Sequence, residues 1–174
     1  NFRYHLWWHR ALFHIDSQQY DAALELYDQR LWDAKSDEYL DLCNDASLLL
    51  RLELAGVSVG DRWPALFEKV KNRVDDHIFC FIDAHMMMAV AAQDSAAADG
   101  MLASLREQVM RGHNTTAAVT REIGYAACQA IAAHRAGDFS SVVKLLASNR
   151  YRIRAIGGSN TQRDIFFRLL VDAA

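Results

Sequence analysis

Apolar residues recur with a period near 3.6 along almost the whole chain, and the two-residue alternation of β-branched side chains that marks strands is nearly absent. Cut at the breakers, the pattern predicts helices over 2–15, 18–33, 37–55, 61–73, 76–92, 95–111, 117–136, 139–148 and 159–172. The breakers are few, a single proline, Pro64, and eight glycines. The segments group as four pairs of helices and one extra helix at the end.

A phrase recurs within the pairs. In its clearest copy, Trp7 to Tyr27, Ala11 is a small residue where the first helix approaches the second, Tyr20-Asp21-Ala22-Ala23-Leu24 opens the second helix, and Ala23 and Tyr27 share its inward face. In the copy from Tyr125 to Leu146, Gly137-Asp138-Phe139 makes the turn, Ala130 is the small contact, and Val142 and Leu146 repeat the inward pair. The copy from Phe79 to Leu102 turns at Gln93-Asp94-Ser95 and keeps Ala98 and Leu102. The copy from Asp45 to Val70 is the most degenerate: Gly56 ends its first helix, Val57-Ser58-Val59-Gly60 forms an extended connection, and Trp63-Pro64 starts the second.

This phrase resembles the tetratricopeptide repeat, most closely over Gln19-Tyr20 through Tyr27. The stretches His5-Leu6-Trp7-Trp8-His9-Arg10-Ala11-Leu12-Phe13 and Ile156-Gly157-Gly158-Ser159-Asn160-Thr161-Gln162-Arg163-Asp164 are similar to signatures of the tetratricopeptide repeat protein 38 family. Asp45 to Leu52 and Phe81 to Met88 resemble that family's intervening segments. The resemblance implies an all-α fold in one domain over 1–174: a right-handed stack of antiparallel helix pairs, a tetratricopeptide-like α-α superhelix, with a C-terminal capping helix. It also implies that this chain corresponds to the C-terminal part of longer family members. The family brings no established biochemical activity with it.

The last helix, Asn160 to Val171, carries Ile165, Phe166, Leu169 and Leu170 on a wide apolar surface, as a helix that shields the open end of an array should. At the other end Phe2, Tyr4 and Leu6 are expected to be exposed, where self-association or a partner helix would cover them.

Composition narrows the classes. A chain of 174 residues, 52% of them hydrophobic, buries a core without needing disulfides or metals. Its longest apolar run, Met86 to Ala92, falls far short of the roughly 18 residues of a membrane span, which points to a soluble, cytoplasmic protein. No secretory signal pattern opens the chain, and its start at Asn1 suggests processing or a fragment. Cys43, Cys80 and Cys128 form no C-x-x-C pair and no zinc-ligand spacing, so reduced, buried thiols are expected, with no cofactor indicated. A net charge of −3 removes the general attraction on which nucleic-acid binding depends.

The chemistry-bearing residues cluster on the first helices of the pairs. His5 and His9, four apart, project from one helix face. The repeat frame turns His5, Trp8 and His9 toward the concave groove and puts Asp83 at a comparable position two pairs later. Asp45, Arg51 and His85 lie on neighbouring first helices, with their facing left open by the pattern. Trp7 and Trp8, about 100° apart on a helix, cannot both be buried in one direction, and Trp8 is assigned to the groove. Gly157-Gly158-Ser159 followed by Gln162 is a capping box; Arg163, with Arg150, Arg152 and Arg154 nearby, makes anion capture there conceivable, but without a P-loop Lys-Ser/Thr or a preceding strand, structural capping is favoured.

Two functions follow. One is a non-catalytic interaction module binding a peptide segment or small polar ligand through His5, Trp8, His9, Asp45, Arg51, Asp83, His85 and Arg163. The other is an enzyme using the same His and Asp cluster for metal-assisted or general acid/base chemistry. Against both stands plain interhelical hydrogen bonding among buried polar groups. No G-x-S-x-G elbow, H-E-x-x-H or Cys beside a His marks a nucleophile or zinc site.

Overall fold

The computed structural model describes residues 2–174, which form helices and turns with no strand. The helices are α1 (Phe2–Asp16), α2 (Tyr20–Leu26), α3 (Tyr39–Leu54), α4 (Arg62–Val70), α5 (Cys80–Gln93), α6 (Ser95–Arg111), α7 (Thr115–Val119), α8 (Tyr125–Arg135), α9 (Phe139–Asn149) and α10 (Asn160–Asp172). α2 runs on into a π-helical turn, Tyr27–Leu31, and α7 joins α8 without a break through another, Thr120–Gly124. A 3₁₀ turn, Ile153–Ile156, precedes α10. Every segment predicted from periodicity is present. The largest boundary difference is at α5, which starts at Cys80 rather than 76, because His77 sits at φ 43°, in the left-handed region that a right-handed helix cannot contain.

The chain pairs α1 with α2, α3 with α4, α5 with α6, and α8 with α9, while α1, α3, α5 and α8 lie side by side in that order. The small residues read from the sequence sit at these contacts: Ala11, Ala23 and Ala130 are fully buried, as are Val142 and, in the π turn after α2, Tyr27. Ala98 is also buried, but its helix seats Met101 and Leu105 against the core, with Leu102 only half-buried. α5 and the turn before α8 approach closely: a side-chain carbon on Gly124 would lie 2.5 Å from Cys80 Cβ, so only glycine fits there.

Two helices are buried along nearly their whole length, α3 from Asp41 to Leu52 and α5 from Cys80 to Val90, the three consecutive methionines included. Part of their cover is α10. It packs on α9, α8 and α3, with Ile165, Phe166 and Leu169 buried. Where an open groove was expected, the first helices are covered by the chain itself. Gly157 (φ 100°) and Gly158 (φ 76°) reverse the backbone into this helix, with Gly158 pressed against the Phe81 ring.

At the other end Phe2 (72%) and Leu6 (56%) are exposed as expected, but Tyr4 (7%) is not: its hydroxyl donates to Asp33 Oδ2 at 2.6 Å. Among the described residues no helix is long and apolar enough to cross a membrane.

Candidate functional site

His5, Trp8 and His9 of α1 and Asn44 and Arg51 of α3 form one continuous cluster beneath and beside α10. Trp8 is its centre, and it corrects the expectation that Trp8 lines an open groove: the ring is fully buried, while Trp7 is the half-buried one, with the guanidinium groups of Arg10 and Arg30 each 5.6 Å from its ring centroid. His5 stacks on Trp8 at 5.3 Å between centroids and His9 meets it edge-on at 4.9 Å. Nδ1 of His5 lies 3.2 Å from Asn44 Oδ1, and the His5 and His9 Nε2 atoms lie 3.2 Å apart. An amide oxygen only accepts, so His5 carries a proton on Nδ1, and in its neutral form its Nε2 accepts from His9 Nε2. Burial and then the neighbouring His5 hold the His9 pKa below its ordinary value.

Arg51 closes the cluster, with its guanidinium carbon 5.5 Å from the Trp8 ring centroid. It is buried, and its partners are mostly neutral: Nη1 donates to Ser47 Oγ and, at 3.3 Å, to the Ser47 carbonyl; Nη2 donates to the Thr161 carbonyl of α10 at 2.8 Å. The nearest carboxylate, Asp164, stands off at 4.0 Å and is held by Arg168, which also reaches Asp16 at 3.4 Å. Burial therefore lowers the Arg51 pKa to about 10 despite the opposing pull of Asp164. Two clefts of about 400 and about 300 Å³ meet here, both lined by Arg51, Asp164 and Arg168. The larger adds apolar walls from Leu54, Phe167 and Val171; the smaller adds Asp16, Asn160 and Thr161. A third cleft, of about 270 Å³, opens over Phe2, His5, Asp41 and Asn44.

The remaining predicted residues divide. His85 is enclosed between Phe81 and Phe166, donates from Nδ1 to the Phe81 carbonyl at 2.7 Å, and has its pKa driven to about 4 by burial. Arg163 turns back on its own loop, donating to the carbonyls of Gly157 and Gly158 and to Asn160 Oδ1, and the Ser159–Gln162 capping box is complete, so this turn consumes its own donors. Asp45 lies apart from the cluster, with Lys69 and Tyr27 as its charged and polar neighbours and a carboxyl raised well above its ordinary value by burial. Asp83 is on a different side again: its Oδ1 accepts from His77 Nδ1 at 3.1 Å, and His77 Nε2 lies 2.9 Å from Ser104 Oγ.

The sequence carries no signal for His77 and Ser104. Periodicity places His77 as the second residue of a helix, and nothing in the spacing ties it to a serine 27 positions later. Cys43, Cys80 and Cys128 are free and buried as predicted, with burial raising all three thiols, Cys80 to about 12, which makes them unreactive nucleophiles. No group of three His, Cys, Asp or Glu side chains among the described residues is arranged to hold a metal. No family model matches the chain, and no solved structure matches it.

Proposed function

We propose that the chain is a tetratricopeptide-like interaction module, related to the tetratricopeptide repeat protein 38 family, which binds a peptide segment or small polar ligand at the clefts where α10 crosses α1 and α3. The ordered contact of α1, α3, α5 and α8, each backed by its partner helix, supports the repeat reading. The observation that carries the site is Arg51: a buried cation with no carboxylate nearer than 4.0 Å, at the meeting point of two clefts. A buried charge is stabilised only by pairing, and the deficit at Arg51 is what an anionic group on a ligand supplies. Arg168 shares both clefts and is the second cation, while the apolar wall of Leu54, Phe167 and Val171 suits a hydrophobic portion beside that group. The stacked His5, Trp8 and His9 support the α1 side rather than contact the ligand.

The test uses peptides selected from a random display library, together with acetate and inorganic phosphate as minimal anions, in a nuclear magnetic resonance titration. Binding should move the Thr161, Asp164 and Arg168 amides and the Arg51 side-chain resonance. Arg51→Met should weaken it by about 10- to 100-fold, the equivalent of one charge-assisted hydrogen bond. Selected peptides that bind Arg51→Met and Arg168→Ala as well as the unaltered chain would defeat the proposal.

A further inference from the structure

Asp83, His77 and Ser104 come from three elements: the first turn of α5, the connection before it, and the middle of α6. Asp83 is buried, and its Oδ2 has no hydrogen-bond partner, so the carboxylate spends its hydrogen bonding on His77 alone. The carboxylate accepts at 3.1 Å, which puts a ring proton on Nδ1 of His77. In the neutral imidazole Nε2 then presents its lone pair to Ser104 Oγ, 2.9 Å away, and the hydroxyl donates to it. The order of donors is serine hydroxyl to imidazole to carboxylate, the arrangement that activates a serine by a general base and orients the base by an acid, and such sites are recognised by this geometry rather than by chain position.

Two further observations favour a built site. His77 is one of only two described non-glycine residues with positive φ, a strained conformation that persists where surrounding contacts impose it; Gln108 Nε2 holds its carbonyl at 3.4 Å. Ser104 is only half-buried, at the surface of α6, whereas the Asp83 carboxylate behind His77 is buried. Burial raises the Asp83 pKa, with His77 opposing, so this carboxylate gains most when a positive charge forms on the imidazole.

We infer that Ser104 is an activated nucleophile for acyl transfer, with His77 as its general base and Asp83 as the positioning residue, acting on small esters at the α5–α6 surface, apart from the Arg51 clefts. Ser104 Oγ bonds to the ester carbonyl carbon as its proton passes to His77 Nε2 and the carbonyl electron pair moves to oxygen. The pair returns, the ester C–O bond breaks, and the departing alcohol takes the proton from His77. Water, deprotonated by the same nitrogen, then attacks the acyl-serine and releases the carboxylic acid with Ser104 restored; one ester and one water give one acid and one alcohol.

The test is covalent labelling of the full chain with a fluorophosphonate, in which an Oγ–P bond forms and fluoride leaves, followed by intact mass and peptide mapping near pH 8, with p-nitrophenyl acetate turnover measured alongside. One adduct is expected, on Ser104, forming at least about 10²-fold faster in the folded chain than in the chain unfolded in urea, since general-base assistance contributes on the order of 10²–10⁴. Ser104→Ala should abolish it. Asp83→Asn, nearly the same shape but favouring the wrong imidazole tautomer, should slow labelling by about 10²-fold or more while circular dichroism and the thermal midpoint show a folded chain. No adduct, an adduct on another residue, equal rates folded and unfolded, or a folded Asp83→Asn labelled at the original rate would each overturn the assignment. The comparison of folded with unfolded chain needs no variant, so it decides even if a substitution prevents folding.

Discussion

His85 makes the stability of this chain depend on pH in a way that can be isolated. The ring is enclosed, its pKa is driven to about 4 by burial, and Arg51 adds a smaller push in the same direction. In the unfolded chain the imidazole titrates near ~6.5. Between these values the unfolded state binds a proton that the folded state refuses, so stability is constant above pH ~6.5 and falls as pH drops toward ~4. From near pH 7 to near pH 4.5 the loss attributable to His85 is about 2.5 kcal/mol by linkage. Asp45 and Asp83 act with the opposite sign: burial raises both, so the folded chain takes up their protons first and acidification through their window favours folding. The net acid response therefore mixes opposing groups, but the two carboxyls are common to the unaltered chain and to His85→Gln, and cancel in the difference. Urea unfolding followed by tryptophan fluorescence at the two pH values measures that difference. The advantage of histidine over glutamine should shrink by about 2–3 kcal/mol at the lower pH. If the two proteins respond to pH in parallel, His85 is not held neutral in the interior, and its enclosure by Phe81 and Phe166 is wrong.

Other outcomes follow from single contacts. Gly124→Ala sets a new carbon 2.5 Å from Cys80 Cβ, a position fixed by backbone on both sides, and should cost about 1–3 kcal/mol in equilibrium unfolding. Ser159→Ala breaks the capping box of α10 and should cost about 1 kcal/mol, read as faster amide exchange in the first turn of that helix. The three buried thiols should stay silent to a thiol-titrating disulfide reagent in the native chain and all react in denaturant; fast native reaction at any of them would contradict its burial.

The helices, their breaks and the small residues at their contacts were legible because each is set locally, by a 3.6-residue period, a glycine or a capping residue. The Ser159–Gln162 box was legible for the same reason and is present in full. The candidate site was legible only in part. His5 and His9 meet because four residues on one helix bring them together. Arg51 reaches Thr161 across 110 residues, and no local pattern encodes that. His77 lies beside Ser104 in the connection before α5, where it adopts a left-handed conformation itself, and a histidine there carries no signal as strong as a glycine would.

The cover over α3 and α5 was nevertheless legible in those helices themselves. Their apolar residues fall on every face, as Leu48-Leu49-Leu50 and Met86-Met87-Met88 show, and a helix apolar all round must be enclosed all round. Neighbouring first helices and the partners α4 and α6 supply part of that enclosure; α10, with its own apolar stripe of Ile165, Phe166 and Leu169, supplies more. It follows that α10 is part of the core rather than a removable lid over a preformed groove. A chain ending at Ile156 should lose cooperative unfolding and elute as aggregates in size-exclusion chromatography, because Arg51 and His85 lose their cover and the apolar faces beside them meet water. A truncated chain that stayed monomeric, with the helical content of its remaining residues intact, would mean that α10 is an accessory. The ligand site would then be the groove beneath α10 rather than the clefts at its edge.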